Sequence, residues 1–96
     1  MATYIVLAKF TEQGLKAIKE SQARRSAARE LAKSLGGEIK ETYLTTGRYD
    51  LVVVGEFPNE DAVAQMALRI GMQGNLRTET MLAFDESAVD RIVGAL

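Results

Sequence analysis

The sequence contains no cysteine and no histidine, and these two absences remove most of the common catalytic and metal-binding repertoire. Without cysteine there can be no disulfide, no thiolate nucleophile and no thiolate metal site. Without histidine the chain lacks the usual general base at neutral pH, the commonest zinc and iron ligand, and the Ser-His-Asp triad. Haem held by an axial histidine or cysteine is excluded as well. A metal would have to rest on carboxylates and carbonyls, and no spaced aspartate cluster of the calcium-loop kind occurs. Neither a metal nor a cofactor is expected. Strong charge of one sign is also missing: twelve basic residues against thirteen acidic ones leave a net charge of −1. That balance lacks the basic bias that nucleic acid or an acidic membrane attracts. No apolar run approaches the ~20 residues that span a bilayer. Met1-Ala2-Thr3-Tyr4 leads straight into a strand-like segment, so the expectation is a soluble cytoplasmic protein with no nucleic-acid or membrane partner.

What is present suits one small domain spanning residues 1–96. Hydrophobic residues make up 47% and charged residues 26%, a globular rather than a disordered balance. At this length a chain buries about two-thirds of the surface it exposes when unfolded, so its core is modest.

Thr3 to Phe10 is rich in β-branched and aromatic residues and predicts a first strand. Tyr4, Val6, Ala8 and Phe10 form one face, Ile5, Leu7 and Lys9 the other, and both are apolar through the middle. Thr11 is placed to cap a short helical piece reaching Lys19, with Leu15 and Ile18 on one side, although Gly14 weakens it by about 1 kcal/mol relative to alanine. Ser21 resembles a second N-cap. From Gln22 to Leu35 a longer helix sets Ala23, Ala27, Ala28, Leu31 and Leu35 on one face, and Gly36-Gly37 ends it. Its opposite face lines up Arg25, Arg29 and Lys33, which reads either as a basic stripe for an anionic partner or as a solvated face eased by Glu20 and Glu30.

Glu38 to Thr46 alternates polar and apolar residues and predicts an edge strand. Asp50 to Phe57 predicts a third strand, with Leu51, Val53, Gly55 and Phe57 on one face and Val52, Val54 and Glu56 on the other. Pro58 stops it, Asn59 caps a helix from Glu60 to about Gln73 that buries Val63, Met66, Ala67 and Ile70, and Gly74 ends that helix. Asn75 to Phe84 is a fourth strand with Arg77, Glu79, Met81 and Ala83 on one face and Leu76, Thr78, Thr80, Leu82 and Phe84 on the other. Asp85 caps a last helix from Glu86 to about Leu96.

The order β-α-β-β-α-β with a C-terminal helix is that of the ferredoxin-like α+β fold, a four-stranded antiparallel sheet with both long helices on one face. The first and third strands occupy its centre, and they are the two with apolar residues on both faces. A strand apolar on both faces is covered on both. The C-terminal helix has three turns and is too small to cover a sheet, so a second copy packed sheet to sheet is expected, a dimeric α/β barrel.

Between the second and third strands lies the densest cluster of functional groups, Gly47-Arg48-Tyr49-Asp50. Arg48 can hold a carboxylate, and the Tyr49 hydroxyl and Asp50 carboxylate can hold an amine. Hairpin chemistry accounts for the same residues: Gly47 as a structural turn with positive φ, Asp50 tied to backbone amides, Tyr49 packed on the sheet end. Arg77 and Glu79 point the same way from the fourth strand and either bind a polar ligand or pair with each other, with Glu56 or across a dimer.

The corner resembles the Gly-x-Tyr-Asp signature of the GYD domain family, functionally uncharacterised small bacterial and archaeal proteins. Tyr4-Ile5-Val6-Leu7 with Phe10-Thr11, Leu35-Gly36-Gly37, and Gly74-Asn75-Leu76-Arg77-Thr78-Glu79-Thr80 resemble the same family. A wider likeness, carried by the corner before a valine-rich strand and the later Thr-x-Thr strand, is to the effector-binding domain of feast/famine transcription regulators. That resemblance implies a dimeric barrel binding amino acids or similar small molecules between subunits. No helix-turn-helix is found in the sequence, so DNA binding does not carry over. Antibiotic-biosynthesis monooxygenases share the fold, and fold alone does not imply activity. The expected function is a non-catalytic binding or sensing homodimer that holds a small metabolite near Arg48, Tyr49, Asp50, Arg77 and Glu79. The alternative is a cofactor-independent monooxygenase- or isomerase-like enzyme, with Tyr49 or Asp50 as acid or base and Arg77 as anion stabiliser.

Overall fold

The computed structural model describes residues 1–96, and the expected element order is present. Strand β1 (Ala2–Phe10) leads into the short helix α1 (Glu12–Lys16), a single 3-10 turn at Ile18–Glu20, and helix α2 (Ser21–Ser34). Strands β2 (Glu38–Leu44) and β3 (Leu51–Phe57) follow, then helix α3 (Glu60–Met72), strand β4 (Leu76–Ala83) and helix α4 (Glu86–Gly94). All neighbouring strands are antiparallel, in the order β2-β3-β1-β4. This is the ferredoxin-like arrangement, with β2 at an edge and β1 and β3 in the centre.

Local chemistry sets the element ends. The side chains of Thr11, Asn59 and Asp85 accept hydrogen bonds from the amides of Gly14, Ala62 and Ala88, satisfying donors that a helix N-terminus leaves free. Gly36 and Gly74 take the left-handed conformation, at φ 82° and 80°, and end α2 and α3. Ser21 does not cap α2. The 3-10 turn runs directly into the helix, Ser21 is itself helical, and its hydroxyl accepts from Arg25 instead. Gly47 lies in the bend at 46–48 but its φ is not positive, so the turn there makes no demand that only glycine can meet.

Register decides which face is which. Tyr4, Val6 and Ala8 pair with Gly55, Val53 and Leu51 on one side and with Leu82, Thr80 and Thr78 on the other. This is the helix-covered face. Its core sits at one end, where Tyr4, Phe57, Ala32, Ala62, Val63 and Met66 are buried together. The Tyr4 and Phe57 rings meet edge to face, 6.1 Å between centroids. Helix α2 presents the expected face in part: Ala28, Leu31 and Leu35 pack against the core, but Ala23 and Ala27 are exposed, while Ala32 is buried and Arg24 and Arg25 are half-buried. An alanine-rich helix has little hydrophobic contrast around its circumference, and the aliphatic stems of two arginines compete successfully for the inner side.

The opposite face carries Thr3, Ile5, Leu7 and Lys9, paired with Glu56, Val54 and Val52 on β3 and with Ala83, Met81, Glu79 and Arg77 on β4. No helix covers it. Helix α4 packs on neither face, and all of its residues except Ala88 are exposed, Val89, Ile92 and Val93 included.

Candidate functional site

At the Gly47–Asp50 corner the backbone is stitched to the end of β1. The Asp50 amide donates to the Ala8 carbonyl at 2.9 Å, and the Phe10 amide donates to Asp50 Oδ2 at 2.9 Å. The Thr45 amide donates to the Asp50 carbonyl at 2.8 Å, and the Thr45 hydroxyl donates to the Tyr49 carbonyl. The carboxylate of Asp50 is thus engaged by main chain, forty residues away in sequence, and half-buried.

Tyr49 does something else. Its hydroxyl crosses the uncovered face and donates to Glu79 Oε2 on β4 at 2.9 Å. That hydrogen bond, with partial burial and the Glu79 charge behind it, raises the phenol above its ordinary value, while the nearby Arg48 guanidinium pulls the other way. Arg77 stands two residues from Glu79 on the same face and opposite Lys9, so two cations lie side by side. Neither is ion-paired, and Glu79 makes no salt bridge; Glu56 is held by Lys40 at 3.5 Å, and Glu38 and Glu56 together raise the Lys40 pKa. Of the five expected site residues, Tyr49 and Glu79 are in contact and Arg48 is beside them. Arg77 shares their face, and Asp50 turns inward. Lys9 belongs with this group although nothing in the sequence singles it out; its pairing with Arg77 is a property of register, not of spacing.

A second site has no counterpart among the sequence expectations. Between the sheet and the two long helices lies a cavity of about 480 Å³, adjoining the small core. Val6, Val53, Ala28, Leu31, Met66 and Ala67 line its apolar body, and Thr78 and Thr80 contribute hydroxyls. Short side chains on α2 opposite small residues of the sheet leave this space open. Arg24, Arg25, Arg29 and Arg69 also line it, and no aspartate, glutamate or lysine does. Arg24 donates to the Ala17 carbonyl at 3.0 Å, Arg25 to Ser21 Oγ at 2.7 Å and Arg29 to Ser26 Oγ at 3.2 Å. The row of Arg25, Arg29 and Lys33 therefore divides: two arginines line the cavity, and Lys33 pairs with Glu30 at 3.8 Å. No group of carboxylates is arranged to hold a metal ion, and no helix is long and apolar enough to cross a membrane.

The GYD domain model matches residues 4–93. The chain belongs to the GYD family. Three of the segments within the stretches that resemble this family tie distant parts of this chain together: the Tyr49-Asp50 corner, and the Phe10-Thr11 and Gly74-Asn75 segments. Between those two segments, the Thr11 hydroxyl donates to the Gly74 carbonyl at 2.6 Å and the Thr11 amide to the Asn75 carbonyl at 3.1 Å. Solved structures agree with the GYD fold. FFRP-DM1 is 24% identical with a TM-score of 0.58, over 88% of this chain and 100% of its own. The hypothetical protein PHS023 from Pyrococcus horikoshii is 26% identical with a TM-score of 0.55, covering 90% of this chain and 93% of its own. The protein TTHA0845 from Thermus thermophilus is 28% identical with a TM-score of 0.56, over 88% of this chain and 95% of its own. No curated protein matches.

Proposed function

We propose that this GYD protein is a non-catalytic small-molecule-binding module that works as a homodimer. The observation that carries the binding half is the 480 Å³ cavity between sheet and helices, a volume within the range of small-molecule pockets, with a mainly apolar lining to which four arginines and several hydroxyl and amide groups are added. The dimer half rests on the uncovered sheet face, where Ile5, Leu7, Val52, Val54 and Met81 form a band that α4 leaves bare. Apolar bands of this kind are covered in stable soluble proteins, and a second sheet packed about 10 Å away is the simplest cover. The Tyr49–Glu79 contact and the Lys9–Arg77 pair lie at the rim of that face, so a second subunit would close over them.

Catalysis at the corner has less support. Asp50 is committed to the Phe10 amide, and the Tyr49 phenol is moved upward, away from neutrality. A general acid or base works best with a pKa near the working pH. A thermal-shift screen with amino acids and small carboxylates tests the binding reading. A ligand at a hundred times its Kd stabilises the folded state by about 2.7 kcal/mol, which in a domain of this size is a rise of roughly 10 °C or more. A library in which no compound moves the melting temperature would remove the support for it.

A further inference from the structure

We propose that the cavity between the sheet and helices α2 and α3 takes an anion with an apolar body, a monocarboxylate on an aliphatic chain or ring. The head would be held by Arg25 and Arg29; Arg24 and Arg69 line the same cavity. This rests on the binding-module reading and adds the chemical class of the ligand.

Charge is the first argument. The chain as a whole is nearly neutral, yet every charged residue that lines this cavity is an arginine. None of the four has a carboxylate within ion-pairing distance; the ion pairs of the chain are made by Lys16, Lys33 and Lys40 alone. Arg25 and Arg29 stand one helical turn apart, a spacing at which like charges repel. Their side-chain hydrogen bonds go to the neutral hydroxyls of Ser21 and Ser26 and occupy a single guanidinium nitrogen each. Each guanidinium retains further N–H donors in a fork that fits a carboxylate. Arg24 and Arg25 are half-buried while Arg29 and Arg69 reach solvent, and no carboxylate is ion-paired to any of them, so an incoming anion meets no internal competitor.

Shape is the second argument. The walls that belong to the core or pack against it are Phe57, Val63, Met66, Leu31 and Ile70, so that end is apolar and the arginines of α2 define a polar side. At the ~30 Å³ that a water occupies in the liquid, 480 Å³ corresponds to about sixteen waters. That is room for on the order of a dozen non-hydrogen atoms, with the apolar part inward. A free amino acid, with its ammonium group, would bring a cation to a site that already has four.

Decanoate, decanol and decylammonium serve as probes in methyl-resolved NMR titrations of the full chain. Decanoate is expected to saturate, shifting the methyls of Val53, Leu31 and Met66 and leaving those of Val52 and Val54 on the other face in place. The double variant Arg25→Gln/Arg29→Gln is expected to raise its Kd about tenfold or more, the effect of losing charge-assisted contacts. Arg48→Gln at the corner is expected to leave Kd unchanged. Decanoate and decanol bound equally well would overturn the anion class while leaving a binding cavity in place. Shifts confined to Val52 and Val54 would overturn the cavity as the site. Failure of all three probes to bind wild type would overturn the proposal together with the placing of the binding site in this cavity; the thermal screen would then decide separately whether the protein binds any small molecule.

Discussion

Replacing Gly14 with alanine puts two physical effects in direct opposition. Gly14 is in helix α1, where alanine is favoured over glycine by about 1 kcal/mol on intrinsic propensity. It is also buried, and the helix passes so close to Asn75 that a Cβ would overlap the Asn75 carbonyl oxygen and lie 3.0 Å from its carbonyl carbon. The obstacle is main chain, which cannot swing aside as a flexible side chain can. Relief requires α1 to move away from the Gln73–Asn75 segment, and that segment is held to α1 by four hydrogen bonds. The Thr11 hydroxyl donates to Gly74 and the Thr11 amide to Asn75, while Gln13 Nε2 donates to the Gln73 carbonyl at 2.9 Å and to Asn75 Oδ1 at 3.0 Å. Gln13 is exposed and its bonds weigh little; the two from Thr11 are worth about 1 kcal/mol each. With the strain of incomplete relief, the net cost is about 2–3 kcal/mol, a fall of roughly 10–20 °C in melting temperature for a domain of this size. Thermal unfolding followed by circular dichroism measures it. Gly71→Ala is the control: that glycine is helical too, a Cβ there meets nothing, and the expected change is a gain of about 0.5–1 kcal/mol. A Gly14→Ala protein as stable as wild type, or more so, would refute the close-approach argument.

Asp50→Ala leaves the half-buried Phe10 amide without its acceptor, a loss of about 1–3 kcal/mol; Asp50→Asn keeps an acceptor and should recover most of the lost melting temperature. Gly47→Val should change stability by less than about 0.5 kcal/mol, because the φ is not positive and a Cβ there meets nothing within 4 Å; a large fall would contradict the bend geometry. Tyr49 holds its proton more tightly in the folded chain than in the unfolded one. Its contribution is therefore complete below about pH 10 and is lost as pH rises through the folded pKa; Glu79→Gln should bring the Tyr49 resonance, followed by NMR against Tyr4 and Tyr43, to titrate at lower pH. Sedimentation velocity should give about twice the 10.5 kDa chain mass for wild type and the single-chain mass for Leu7→Glu on the uncovered face; a wild-type monomer would contradict the proposed dimer.

Most of the fold is legible in the sequence because its signals are local. Thr11, Asn59 and Asp85 cap helices as their positions predict, and the double-sided apolar pattern of Tyr4–Phe10 and Leu51–Phe57 marks the two central strands. Where signals are weak or shared, pattern and structure part. Ser21 follows a turn that already satisfies the helix start, and the alanines of α2 give no firm direction to its inner face. The corner is legible as a cluster but not in its wiring, since Asp50 finds the Phe10 amide and Tyr49 finds Glu79 through sheet register. The cavity is least legible of all. It depends on how far α2 and α3 stand from the sheet, a sum over many small side chains that no motif records.

The claim that this cavity is a ligand site is tested most directly by the melting temperature of wild type and of Val53→Phe, each with and without saturating decanoate. Phenylalanine at 53 fills the space between sheet and helices without touching the corner or the uncovered face. Decanoate is expected to raise the melting temperature of wild type and to leave that of Val53→Phe unchanged. An equal rise in both proteins would contradict the claim.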